Sequence, residues 1–203
     1  MSKITSIATQ VPPYRQQQHE ICVFADKIYN ISADESRKYK YLYSHSGINT
    51  RYSVVADYNL PAAERTFFST AENLEPFPNM DKRMEWYAAH AAPLSICIDG
   101  KINKNKITHL ITVSCTGMSA PGLDLQIMEL MGLPENIFRT SVNFMGCYAA
   151  IHALKLGDAL CQSTLNANVV IVCTELCTLH FQKENTIDNI TSTILFGDGC
   201  AAV

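Results

Sequence analysis

Apolar, β-branched runs recur at residues 4–8, 107–113, 138–144 and 169–174, with a further candidate at 194–203. Continuous apolar runs of this length, bounded by polar turn residues, predict strands buried on both faces. Between them the apolar spacing lengthens to that of a helix. Residues 15–30 place Ile21, Phe24, Ala25 and Ile28 on one face, and residues 123–131 carry Leu123, Ile127, Leu130 and Met131 before Gly132 stops the helix. Residues 147–161 turn Ala150, Ile151, Leu154 and Leu160 inward, with Lys155 and Asp158 outward. The stretch 79–102, with Met84, Tyr87, Ala88, Ala91, Leu94 and Ile98, reads as a helix that Pro93 must kink or interrupt. Its small residues at 88–92 predict close packing on several sides. Strands alternating with helices predict an α/β fold: a parallel sheet covered on both faces, with any site beyond the carboxyl ends of the strands. Residues 30–79 have no clear period and read as an insertion over the sheet, not a separate domain.

Composition narrows the picture. The 203 residues are 47% hydrophobic and 17% charged, enough apolar material for a well-buried core and little enough charge to predict a surface partly covered by a partner. Sixteen Lys and Arg against nineteen Asp and Glu leave a net charge of −3, which argues against a nucleic acid or an anionic membrane as partner. The longest apolar runs, such as 169–173, fall far short of the ~18 residues of a membrane span. The first residues lack a basic segment followed by an apolar one, which predicts a cytoplasmic protein. Eight cysteines without a C-x-x-C pair predict mostly buried free thiols, neither a disulfide framework nor a redox motif. Cys173, Cys177 and His180 have metal-like spacing, but no second ligand cluster accompanies them and Cys173 falls in a predicted core strand, so zinc is disfavoured. Neither Gly-x-Gly-x-x-Gly nor a Walker A loop occurs, which disfavours the usual nucleotide folds.

Two strand ends carry chemistry: 114–122 and 143–150. In the second, Cys147 follows a strand and a glycine and opens a helix, a corner of the nucleophile-elbow kind. Free N–H groups and the positive end of the helix dipole there favour a thiolate. Gly146 removes a Cβ that would crowd an incoming acyl group. A buried cysteine capping a core helix fits the same spacing.

The segments 142–150, 114–122 and 195–202, together with 47–52 and 106–110, resemble chalcone synthase-like type III polyketide synthases of the thiolase superfamily, from about residue 35 onward. The resemblance implies a thiolase-like fold in which residues 1–203 form one βαβαβαββ half with a mixed, mainly parallel sheet, the C-terminal half being absent from the chain. It implies an acyltransferase in which Cys147 accepts an acyl group from coenzyme A and malonyl-CoA is decarboxylated and condensed onto the thioester, with acyl-CoA and malonyl-CoA as substrates and no separate cofactor. A cysteine suits this work because a thioester exchanges readily with coenzyme A and keeps its carbonyl open to a carbanion.

By the same resemblance Phe196 is a gate residue, although a sheet-core aromatic also fits. Cys115, Thr116, Cys177, His180 and Ser192 line the elongation cavity. Ala120 stands where a methionine reaches into the partner's cavity, which implies a homodimer with an altered wall. The coenzyme-phosphate positions hold Lys38, Tyr41 and His45; Arg37 and Lys40 are possible substitutes, and a solvated basic face is the plainer alternative. The family's catalytic histidine and asparagine belong to its second half. His152, one helical turn past Cys147, reads as an ordinary helix histidine. Two rival readings are a ketoacyl synthase III-like condensing enzyme and a non-catalytic partner half-fold.

Overall fold

A computed structural model describes residues 2–29 and 31–203; Met1 and the Asn30 end expected for the first helix lie outside them. The strands are β1 (Ala8–Gln10), β2 (Tyr14–Gln17), β3 (Thr50–Ser53), β4 (His109–Ser114), β5 (Phe138–Asn143), β6 (Val169–Leu176) and β7 (Asp198–Ala202). The helices are α1 (Gln18–Tyr29), α2 (Ala33–His45), α3 (Met80–Ser95), α4 (Leu123–Met131), α5 (Ala149–Ser163) and α6 (Ile187–Leu195). The residues group into two compact units, one of Met1–Val11, Met84–Glu175 and Gly199–Val203, the other of Pro12–Arg83 and Leu176–Asp198.

The first unit is built on a five-stranded sheet of order β1-β7-β6-β4-β5. β4 runs parallel to β5 and β6, while β1 pairs antiparallel with β7. All six residues of β4 are buried, as expected of a central parallel strand flanked on both edges and covered on both faces. Alternation along the strands separates the two faces. Ile111, Val113 and Ile171 meet Ala149 and Ala153 of α5 on one face, and Thr174 on the other shares a 2.6 Å hydrogen bond with Ser95 of α3. α4 ends as Gly132 predicts, with Gly132 in the left-handed conformation (φ 60°).

Several expectations are corrected. The first strand is Ala8–Gln10, not 4–8, and Ile4 and Ile7 are exposed. β5 is an exposed edge strand, with Phe138 69% exposed, because only β4 flanks it. Within 194–203 the strand is confined to β7, while Ile194 and Leu195 end helix α6. Leu130 of α4 is exposed and Met128 takes the buried place. α5 is rotated from its pattern: Ala149, Ala153 and Gly157 face the sheet and Leu160 packs against the same core as expected, but Ile151 and Leu154 are exposed. The cause is proximity, since a Cβ at Gly157 would lie 3.0 Å from Ile171 Cδ1. In α3, Ala88 and Ala89 are exposed, so that helix is not buried all round, and Pro93 sits in its last turn. None of the eight cysteines is in a disulfide, but only Cys22 and Cys200 are buried.

In the second unit β2 and β3 form an antiparallel pair, and β2 leads directly into α1. α2 starts with a capping box in which Ser32 and Glu35 bond reciprocally, and Ser36 ties it to Asp26 of α1 at 2.7 Å. The core is aromatic: the rings of Phe24, Tyr58, Phe68 and Phe181 lie 5.1–6.2 Å apart, mostly edge to face. Asp57, fully buried, holds the chain beside it by accepting from the amides of Thr66, Phe67 and Phe68 at 2.7–3.1 Å. The buried Arg83 donates to the carbonyls of Pro78, Leu179 and Phe181.

Candidate functional site

In the first unit both predicted loops leave the carboxyl ends of adjacent strands. β5 ends at Asn143, and Phe144 then takes a left-handed conformation (φ 58°) with its amide on the Ser114 carbonyl at 3.3 Å. Gly146 is also left-handed (φ 72°), and no atom would meet a Cβ there within 4 Å. Backbone conformation is therefore what calls for glycine at this position. A 3₁₀ turn over Gly146–Tyr148 runs into α5 and leaves Cys147 exposed at the corner. A buried helix-capping cysteine is thereby overturned. His152 sets its ring edge-on against Tyr148, with centroids 4.4 Å apart.

The other loop reaches the same corner. Gly146 N–H donates to Cys115 Sγ at 3.2 Å, so Cys115 touches the residue before Cys147. Glu175, at the end of β6, accepts from the Cys115 amide at 2.9 Å and the Thr116 hydroxyl at 2.7 Å. Burial raises its carboxyl above the usual range, and these hydrogen bonds oppose that shift. Tyr87 of α3 donates to Ser114 Oγ at 2.7 Å, and its phenol is pushed up to about 12 by burial. Gly117 lies against that ring, where a Cβ would come within 2.4 Å of it. A small pocket opens here among Tyr87, Ser114, Gly117, Met118 and Asn143. Ala120 is exposed in the same loop, and Met118, two residues earlier, is 67% exposed. The first unit thus brings Cys115, Thr116 and Cys147 to one corner.

In the second unit Cys177 and His180 belong to a 3₁₀ turn, Cys177–His180, and both are half-buried. Asp198 anchors that turn by accepting from the Thr178 amide (2.8 Å) and hydroxyl (2.6 Å), and it also accepts from Val54 N–H at 2.8 Å. Burial pushes its carboxyl up to about 6. Phe196 caps α6 through its amide on the Ser192 carbonyl at 3.0 Å, and the residue is 43% exposed, which removes the core-aromatic alternative. The buried Arg51 guanidinium donates to the Phe196 carbonyl. Ser192 is exposed on α6.

Lys38 and His45 are exposed on α2, two turns apart, and His45 stacks on Tyr41 with centroids 3.9 Å apart. The substitutes considered for the basic positions are engaged: Arg37 pairs with Asp34, and Lys40 with Asp26 at 3.4 Å.

Sequence reading missed Glu175, Asp198 and Arg51. Their signal was a charge inside or beside an apolar run, since such a residue, once buried, must find partners. Among the described residues no three His, Cys, Asp or Glu side chains converge as a metal site, and no helix is long and apolar enough to cross a membrane.

Comparison with known proteins bears on this arrangement. The family description "Chalcone and stilbene synthases, N-terminal domain" matches residues 2–203. "Probable polyketide synthase 1" of Dictyostelium discoideum is 30% identical over 203 residues, covering 99% of this chain and 6% of that protein. The "Alpha-pyrone synthesis polyketide synthase-like Pks18" of Mycobacterium tuberculosis is 34% identical over 127 residues, 60% of this chain and 32% of that one. Among solved structures, the C-terminal type III polyketide synthase domain of Steely1, a type I/III hybrid from Dictyostelium, superposes with TM-score 0.82 at 26% identity. PKS-I from the brown alga Ectocarpus siliculosus superposes with TM-score 0.85, also at 26% identity. Each superposition covers 97% of this chain and 53% of the other, so the chain spans about half the length of these solved relatives. With the α/β fold shared at that level and the family description matched from residue 2 to residue 203, the chain belongs to the chalcone and stilbene synthase family, through that family's N-terminal domain.

Proposed function

We propose that this chain is the acyl-carrying half of a type III polyketide synthase, with Cys147 as the covalent carrier. The observation that supports it is the corner itself. Two consecutive strand ends, a left-handed Gly146 and the start of α5 leave one thiol exposed where a thioester carbonyl can approach it. The Cys147 thiolate attacks the carbonyl of an acyl-CoA; the new C–S bond forms as the bond to coenzyme A breaks, and the coenzyme leaves as a thiol after taking a proton. Malonyl-CoA then loses carbon dioxide, and the resulting carbanion attacks the acyl carbonyl and expels Cys147. In this reading Cys115 and Thr116 border the acyl carbonyl, held by Glu175. Phe196, Cys177, His180 and Ser192 are assigned to the substrate cavity and Lys38 and His45 to coenzyme A, on the family resemblance.

The chain is proposed to work as a homodimer. β5 is an open sheet edge, and Phe138, Phe144, Met145, Tyr148, Ile151 and Leu154 are all exposed on or beside it, more apolar surface than a monomer normally leaves wet. A light-scattering mass of two chains is the expected result, and a stable monomer at micromolar concentration would contradict it.

Mass spectrometry after incubation with a long-chain or aromatic acyl-CoA tests the acyl step. One acyl mass on the Cys147 peptide is expected, and no gain in mass would favour the non-catalytic partner instead. Carbon dioxide release from malonyl-CoA by the 203 residues alone is expected to be undetectable. The family's enolate-stabilising His and Asn lie in its second half, and losing one such donor already costs about 10²–10³ in rate.

A further inference from the structure

The sequence has no C-x-x-C pair, yet the first unit brings together two thiols 103 positions apart. Cys97 lies in the turn after α3 and is partly exposed, whereas Cys200 is buried in the middle of β7. Their sulfurs are 3.5 Å apart. Both belong to well-anchored neighbourhoods: Cys97 Sγ lies 3.7 Å from the Ala8 carbonyl oxygen, and β1, which carries Ala8, pairs with β7 so that Gln10 faces Cys200. A disulfide needs a separation of ~2.05 Å, so about 1.5 Å must be closed, a distance within reach of side-chain rotation and a small shift of the turn that carries Cys97.

We propose that Cys97 and Cys200 form a reversible oxidation site, a thiol pair that a peroxide converts to a disulfide bridging the turn after α3 to β7. The two sulfurs have different roles. A hydrogen bond from Cys200 brings the Cys97 thiol down to about 7, with Lys101 nearby contributing in the same direction. The same contact, with burial, pushes the Cys200 thiol well up. The attacking thiolate is therefore Cys97, which is also the one solvent reaches.

In the first step an S–O bond forms at Cys97 as the peroxide O–O bond breaks. Sulfur gives up two electrons, and the released hydroxide takes a proton to become water. In the second step the Cys200 sulfur attacks the Cys97 sulfenic acid. The S–S bond forms, the S–O bond breaks, and the departing hydroxide leaves as water with the Cys200 proton. Two thiols and one hydrogen peroxide thus yield one disulfide and two waters, and a dithiol reductant reverses the change.

The test uses hydrogen peroxide on the purified chain, followed by maleimide labelling under denaturing conditions and peptide mass mapping. The expected product is a Cys97–Cys200 linked peptide that disappears on reduction, with the intact mass lower by about 2 Da. In Cys200→Ala the resolving thiol is gone, so Cys97 should instead accumulate as a sulfenic acid trapped by dimedone. Recovery of both cysteines as maleimide adducts while Cys147 is oxidised would overturn the proposal. So would linkage of Cys97 to any other cysteine.

Discussion

Replacing Cys147 by alanine abolishes acyl transfer from acyl-CoA to the chain, while Cys161→Ala, on the α5 helix that follows the Cys147 turn, keeps the full acyl mass. The expected loss exceeds about 10³-fold, because no other side chain at the corner supplies a nucleophile of comparable strength. Cys115 is the one thiol that could imitate it, being in contact with Gly146. Its sulfur, however, is half-buried and occupied as an acceptor of the Gly146 amide, whereas Cys147 is exposed. Alkylation should show the same order, with iodoacetamide reaching Cys147 well before Cys22 or Cys200, which are buried. A second variant separates aim from chemistry. Gly146→Ala forces a Cβ into a left-handed conformation at a cost of about 1–2 kcal/mol, so acylation should slow while the thiol still alkylates. Undiminished acyl mass on Cys147→Ala would remove Cys147 from its proposed role.

The second large effect is structural. Asp57→Ala should lower the melting temperature by about 10 °C, with an expected destabilisation of about 3–5 kcal/mol. The carboxylate is fully buried and accepts from three successive amides and the Thr66 hydroxyl. Alanine leaves these donors unpaired, and each unpaired buried donor costs about 1–3 kcal/mol. Those amides position Phe67 and Phe68, and Phe68 touches Phe24, Tyr58 and Phe181, so the loss spreads into the ring cluster. Asp57→Asn keeps one acceptor oxygen and should fall between the two. Asp81→Ala, at an exposed site on α3, serves as the control. A melting point within about 2 °C of the parent for Asp57→Ala would show that water replaces the carboxylate.

The sheet and the nucleophile corner were legible because their signals are local: β-branched runs mark β4 and β6, and Gly132 ends α4. Gly146 and Cys147 stand out at the strand-to-helix junction for the same reason. The orientation of α5 was not legible. Apolar spacing marks Ile151 and Leu154 as inward, but the helix lies too near Ile171 for large side chains and presents Ala149, Ala153 and Gly157 instead. Periodicity reports which face is apolar; it does not report which face has room. Residues 30–79 showed no period because their order comes from side chains meeting at long range. Asp57 gathers amides nine to eleven positions away, and Tyr58 donates to the Thr178 carbonyl 120 positions away. Glu175 was missed because its partners, Cys115 and Thr116, are some 60 residues off along the chain.

The distribution of aromatic residues gives the two units separate optical signatures. The single tryptophan, Trp86, lies on α3 within the first unit, while the ring cluster of the second is made of tyrosine and phenylalanine. Excitation at the red edge of the ultraviolet therefore follows the sheet and α3 and leaves the ring cluster dark. Near-ultraviolet dichroism in the tyrosine band is weighted toward the other unit, which holds seven of the nine tyrosines, among them Tyr29 and Tyr58 held edge-on against neighbouring rings. Unfolding curves recorded through the two windows coincide if the units melt as one cooperative block and part if each has its own transition.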